Sequence, residues 1–283
     1  MKVPKGARAG EFLPGLILPA AVLLIWILAS ASGLKPALIP TPQAVLSILA
    51  RPFDGVIASG SIFWNCTVSI IRVLTGFTIA VLTAVPMGLL MGSSSAARRF
   101  LALSVELARP LSPLAMTPLM LVLFRSRTVV DVLGLTSLRY SHSILHEIQI
   151  GMIAVQVWGG FFPILLGAAS GARSVRRIHL EVAELLGAGR AMIFRHLTLP
   201  SAIPDIMTGM RLGMGRCWMV IVASEMLPGT NAGLGYLIRY SYEIQRTDVM
   251  LAGLVVIALV GALLSHVLDR IGKRSFELRR RER

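Results

Sequence analysis

The side chains able to do chemistry in this chain are few and scattered. His142 and His146 stand four residues apart and are followed by Glu147, a spacing that puts two imidazoles on one helix face and suits a divalent metal. No third ligand is placed to complete the set, so a polar turn at an interface is the better reading, and no metal site is assigned. No G-x-x-x-x-G-K-S/T phosphate loop occurs, nor H-E-x-x-H, nor G-x-S-x-G, nor a clustered Ser/His/Asp set. Catalysis by this chain is therefore not expected, ATP hydrolysis through a phosphate loop is excluded, and no cofactor is called for on it. Cys66 and Cys217 lie far apart in apolar surroundings, so a disulfide framework is not needed.

Charged groups inside apolar stretches are costly and become functional candidates by default. Glu225 either lines a path or is satisfied by backbone, Arg216 or Arg239. Arg109 either serves transport or pairs with Glu106 one turn earlier. Arg211 is placed to attract an anion or to serve packing alone, and Arg216 equally well snorkels to the interface.

These residues sit in a chain of 283 residues that is 55% hydrophobic and 15% charged, with a mean hydropathy of +0.74. A soluble domain of this size has no core large enough to hide that much apolar surface, which excludes an ordinary cytosolic enzyme. Crossing a hydrocarbon layer of about 30 Å takes about 20 apolar residues. Six such spans are expected, at 12–31, 62–91, 100–124, 148–170, 201–227 and 249–268. The first follows Lys2, Lys5 and Arg8 and ends in Ala29-Ser30-Ala31. That pattern admits a cleaved signal, but five further spans favour an uncleaved first helix.

With the N-terminus inside, the inner segments carry seventeen Lys and Arg and the outer segments seven, so both termini are expected in the cytoplasm. The net charge of +14 then reflects membrane topology, not nucleic acid, and the Arg-rich end from Lys273 to Arg281 reads as an anchor at anionic headgroups of the lipid bilayer. Gly167-x-x-x-Gly171 and Gly209-x-x-x-Gly213 suit close helix packing, within one chain in preference to a dimer seam.

One inner segment, about 179–200, is not a plain polar loop. Glu181 and Glu184 suit a short helix, Gly187 and Gly189 permit a sharp turn into a second short piece, and Pro200 fits the first turn of the next span. Leu185, Leu186, Met192, Ile193 and Phe194 give it an apolar side. An amphipathic helix on the inner leaflet and a knob docking into a partner's groove both fit that composition.

The segment resembles the E-A-A, Gly, Leu-Pro motif of permease subunits of bacterial ATP-binding-cassette importers. Glu181, Ala183, Gly187, Leu199 and Pro200 match it, with Val182 in place of the middle Ala. Ile39-Pro-Thr-Pro-Gln-Ala-Val45, Arg109-Pro-Leu-Ser-Pro-Leu-Ala115, Phe161-Phe-Pro163, Ser224-Glu-Met-Leu227 and Gly233-Leu-Gly-Tyr236 are similar to the branch importing nitrate, taurine and aliphatic sulfonates. One region departs from it, a connection of about twice the usual length over 125–147, which falls on the outer side or at the mouth of the path.

The resemblance implies a single all-α membrane domain over 1–283, a MetI-like permease fold of six transmembrane helices with a cytoplasmic coupling helix between the fourth and fifth. It implies that Glu181, Ala183, Leu186, Gly187, Ala188, Phe194, Leu199 and Pro200 meet a cytosolic ATPase that holds the ATP and Mg. An external solute-binding protein is expected as a second partner, and a homodimer in the bacterial inner membrane as the assembly. The cargo is expected to be a small anion such as a sulfonate, taurine or nitrate, with Glu225, Arg211 and Arg109 as candidates for the path. A stand-alone secondary carrier is the alternative; it calls for paired mid-membrane acids and inverted repeats, and neither is visible.

Overall fold

A computed structural model describes residues 13–31, 39–57, 60–124, 128 and 147–281. Helix α1, Leu13–Ala31, answers to the first expected span. A short helix follows, α2 at Pro42–Leu49, started by Pro42 in its first turn and by Thr41, whose hydroxyl accepts the Ala44 N–H. A small antiparallel pair, β1 Gly55–Ile57 and β2 Gly60–Ser61, then feeds α3, Ile62–Ser93, where Ser61 caps the Trp64 N–H at 3.1 Å.

The stretch expected as one span at 100–124 is two helices, α4 at Ser95–Ala108 and α5 at Pro113–Leu123. The cause is local. Pro110 and Pro113 lack the N–H groups a continuous helix needs, and Ser112, which precedes a proline, is held extended at ψ 124°. The freed backbone is partly recovered by Leu111, whose N–H reaches the Ala108 carbonyl at 3.2 Å and whose carbonyl accepts the Trp158 indole N–H at 3.4 Å.

Helix α6, Ile150–Arg173, is followed by α7, Arg177–Leu185, and by the one-turn α8, Arg190–Ile193. A π turn over Phe194–Thr198 leads straight into α9, Leu199–Glu225. Helices α10, Leu234–Glu243, and α11, Thr247–Arg281, complete the chain. Ile62–Ser93, Ile150–Arg173 and Thr247–Gly272 are each long and apolar enough to cross a bilayer, and Ile17–Ala31 and Pro113–Leu123 are shorter apolar helices.

Helix α6 sits between α3 and α9 and supplies much of the core, with Met152, Phe162, Ile164, Leu165 and Ala169 packed against Val73, Phe77 and Ala80 of α3 and Met214, Cys217 and Ile221 of α9. Between apolar helices in lipid the driving force is close packing, not water exclusion, so small residues decide the fit. The two Gly-x-x-x-Gly pairs meet each other within the one chain, as expected. A Cβ on Gly209 would lie 2.7 Å from the Pro163 carbonyl oxygen, and one on Gly167 2.9 Å from the Gly209 Cα. Gly209→Val is therefore expected to force α6 and α9 apart at a cost of about 1–3 kcal/mol. A lowered melting temperature of the purified protein checks this, and an unchanged one refutes it.

Candidate functional site

The first candidate is the turn between α7 and α8. Helix α7 buries no residue of its own, and Leu185 and Leu186 at its end are 86% and 82% exposed. The helix stops in a Schellman motif: the Gly187 N–H donates to the Glu184 carbonyl at 2.9 Å and the Ala188 N–H to the Ala183 carbonyl at 2.9 Å. Gly187 has φ +80°, a left-handed conformation that glycine adopts without strain. The chain then reverses, and an apolar groove of about 490 Å³ opens between the arms, lined by Ala183, Leu186, Ala188, Met192 and Ile193. Glu181 lies on α7, Phe194 is half-exposed on the π turn, and Leu199 and Pro200 open α9. Ala183, Leu186, Gly187 and Ala188 thus share one turn, whereas Leu199 packs against the buried cluster of Leu89, Ala168 and Ile206.

The second candidate is a fully buried charge cluster. Arg72 on α3 and Glu225 at the end of α9 are both 0% exposed, and their side chains pair at 2.9 Å. The same guanidinium donates to the carbonyls of Ala232 and Glu147 at 2.8 Å each, and the Glu147 carboxylate stands 3.5 Å away. The Ser69 hydroxyl is 2.9 and 2.8 Å from the two Glu225 oxygens and accepts the Leu234 N–H at 2.9 Å. The Gly235 N–H donates to Glu225 at 3.0 Å, and Asn65 accepts the Gly233 N–H at 2.8 Å. The carboxylate therefore rests on the first turn of α10, where free N–H groups and the helix dipole favour negative charge.

This geometry explains why Ser224-Glu-Met-Leu227 and Gly233-Leu-Gly-Tyr236 belong together. Gly233 has φ +118°, and a Cβ there or on Gly235 would collide with Glu225 or with the Val222 carbonyl. The sequence offered Arg216 or Arg239 as partners for Glu225; the structure gives Arg72, because α3 passes beside the α9–α10 junction. Arg239 pairs instead with Glu243 at 3.5 Å and lies over the Tyr236 ring. Arg72 is among the arginines the sequence places within or at the ends of spans, but it was given no role there, nor were Ser69 and Asn65, although an arginine inside a 32-residue apolar helix is itself a signal.

The third candidate is a cavity of about 320 Å³ between Arg109, α6 and the stretch of α9 from Asp205 to Arg216. Arg109 and Arg216 both line it. Arg211 does not; it pairs with Asp269 on α11, about a third of a turn round α9 from the cavity-facing residues. Among the described residues no ion pair joins Arg109 to Glu106. His142, His146 and the rest of 129–146, with 125–127, lie outside the described residues. Glu147, grouped with those histidines in the sequence, belongs to the Arg72 cluster.

The described residues thus form a helical bundle with a buried charge cluster, a cavity lined by two arginines and an exposed apolar turn. The match to known proteins gives the class. Residues 84–277 fit the family described as binding-protein-dependent transport system inner membrane component, and the chain belongs to that family. It is similar to a putative ABC transporter permease of Methanocaldococcus jannaschii, 37% identical with 95% of this chain and 93% of that one covered. It also resembles the taurine transport system permease of Escherichia coli, 33% identical over 90% and 86%, and a bicarbonate transport system permease of Synechococcus elongatus, 28% identical over 89% and 86%.

Among solved structures, the inward-facing MetNI methionine ABC transporter superposes with a TM-score of 0.55 at 16% identity, covering 83% of this chain and 99% of that one. A bacterial ABC transporter of alginate gives 0.54 at 16%, over 93% and 96%. These share the fold. The protein is thus a multi-pass membrane permease subunit of an ABC importer and not itself an enzyme; ATPase and binding-protein partners come with the family.

Proposed function

We propose that the chain is one half of the translocation path of an importer for a small anion, of the sulfonate, taurine or nitrate kind. The taurine and bicarbonate permeases among its relatives support a small anionic cargo. Six transmembrane helices hold both termini in the cytoplasm, and α4 with α5 forms one broken span. Two copies pair as a homodimer around the path. A cytosolic ATPase dimer, carrying the ATP and Mg, grips the 179–200 segment of each copy, and an external binding protein delivers the solute. ATP binding stabilises one of two packings of the bundle, and α7 passes that preference on as a rigid lever.

The observation that carries this reading is the α7–α8 knob. A surface helix normally buries one apolar face, whereas this one projects Leu185 and Leu186 outward from a turn with its own fixed shape. Leu186→Cys carrying a short photo-cross-linker tests it in membranes that contain the neighbouring ATPase. A cross-linked product with the ATPase is expected. Adducts with phospholipid alone, or cargo uptake by the purified chain without any ATPase, overturn it.

A further inference from the structure

Four arginines of the helical body are committed to ion pairs. Arg72 is spent on Glu225 and Glu147, Arg211 on Asp269, Arg239 on Glu243 and Arg246 on Asp248. Arg109 and Arg216 are in no ion pair among the described residues, a state they share with other arginines such as Arg98 and Arg173, but these two are set apart because both line the cavity of about 320 Å³. Arg216 lies in the middle part of the 27-residue α9, and Arg109 sits at the break where α4 gives way to α5. A free guanidinium midway along a lipid-spanning bundle is costly unless water, protein or a ligand meets it. Breaks in helices are likewise sustained where the backbone borders a cavity.

The rest of the lining matches a particular guest. Two guanidinium groups face one carboxylate, Asp205, so the cavity keeps an excess of positive charge. Ser170 and Thr208 add hydroxyls at its wall; the Thr208 hydroxyl donates to the Pro204 carbonyl at 3.1 Å, which leaves its oxygen free to accept. Phe162 and Leu212 supply an apolar side that fits a short alkyl group. Planar guanidinium forks bind oxyanions through paired charge-assisted hydrogen bonds.

We propose that this cavity is an anion-binding station in the permease itself, where Arg109 and Arg216 hold the charged head of a small oxyanion as it crosses. The inference rests on the importer reading and adds to it: selection does not end at the external binding protein, because the permease tests the cargo's charge a second time. Asp205 offsets part of the positive field, so that the anion is held weakly enough to leave.

The test uses the complete transporter in lipid nanodiscs, without the binding protein, and measures equilibrium binding of methanesulfonate, bicarbonate and uncharged dimethyl sulfone. At least one anion is expected to bind saturably and dimethyl sulfone not to bind. Affinity for that anion should fall about tenfold or more in Arg109→Gln and in Arg216→Gln, the loss expected when a hydrogen bond to a charged group goes. Arg216→Lys, which keeps the charge but not the planar fork, should recover only part of it. Asp205→Asn should tighten binding, an increase that mere loss of packing does not produce. No saturable anion binding by the wild type, equal binding by the Arg109→Gln/Arg216→Gln pair, or weakened binding by Asp205→Asn overturns the proposal.

A parallel uptake assay in vesicles, with the binding protein added, separates this from the parent reading. Anion uptake that is unchanged in the double variant rejects the station and leaves the importer standing. A wild-type complex that carries only uncharged cargo rejects both.

Discussion

Gly187→Val is expected to reduce ATP-driven uptake by at least about an order of magnitude, because a left-handed conformation costs an L-residue roughly 1–2 kcal/mol and a β-branched one more. A Cβ at this position would meet no heavy atom within 4 Å beyond its chain neighbours. The effect is therefore a backbone effect. With φ driven from +80°, the Ala188 to Ala183 bond that ends α7 is lost, and Leu186 no longer lines the groove together with Met192. Gly187→Asn supplies the control, since asparagine tolerates the left-handed region; it should keep most of the uptake. Glu181→Lys, which reverses a charge on the same helix, should uncouple ATP hydrolysis from uptake without harming insertion. The measurements are uptake, ATPase rate and recovery of the complex. Normal values in both Gly187→Val and Glu181→Lys reject the docking assignment.

The second large effect concerns the buried pair. Arg72→Met leaves the Glu225 carboxylate fully buried with its main counter-charge gone, and breaking such a pair typically costs about 3–5 kcal/mol. Replacing both partners removes the stranded charge, so Arg72→Met/Glu225→Met should be more stable than Arg72→Met alone. The cycle of single and double variants reads the coupling directly. Thermal unfolding of the purified protein is the assay. Additive losses in the double variant would show that the two side chains do not depend on each other, contrary to the 2.9 Å contact. Because Arg72 also holds the Ala232 and Glu147 carbonyls, its loss should loosen the α9–α10 junction and the chain leading into α6 together.

Where a signal was local, the sequence carried it far. The helix at Leu13–Ala31, the long helices at Ile62–Ser93 and Ile150–Arg173, the turn at Gly187 and the proline entry at Pro200 all follow from hydropathy over some twenty residues or from a glycine and proline at fixed spacing. The broken third span was readable in part: Pro110 and Pro113 stand within it, but apolar content alone made 100–124 look continuous.

What the residues determined unaided is a basic, apolar, multi-pass chain with no G-x-x-x-x-G-K-S/T phosphate loop and with an apolar segment that turns at Gly187. Only tertiary structure decided who pairs with whom. Glu225 and Arg72 are 153 residues apart, and their meeting depends on how α3 crosses the α9–α10 junction, which no pattern along the chain encodes. The same holds for Arg109 and Arg216, brought to one cavity by the packing of the α4–α5 break against α6 and α9, while Arg211, five residues from Arg216, is turned toward Asp269. Helical periodicity sets which face a side chain occupies, but which neighbour that face meets is settled by close packing between helices.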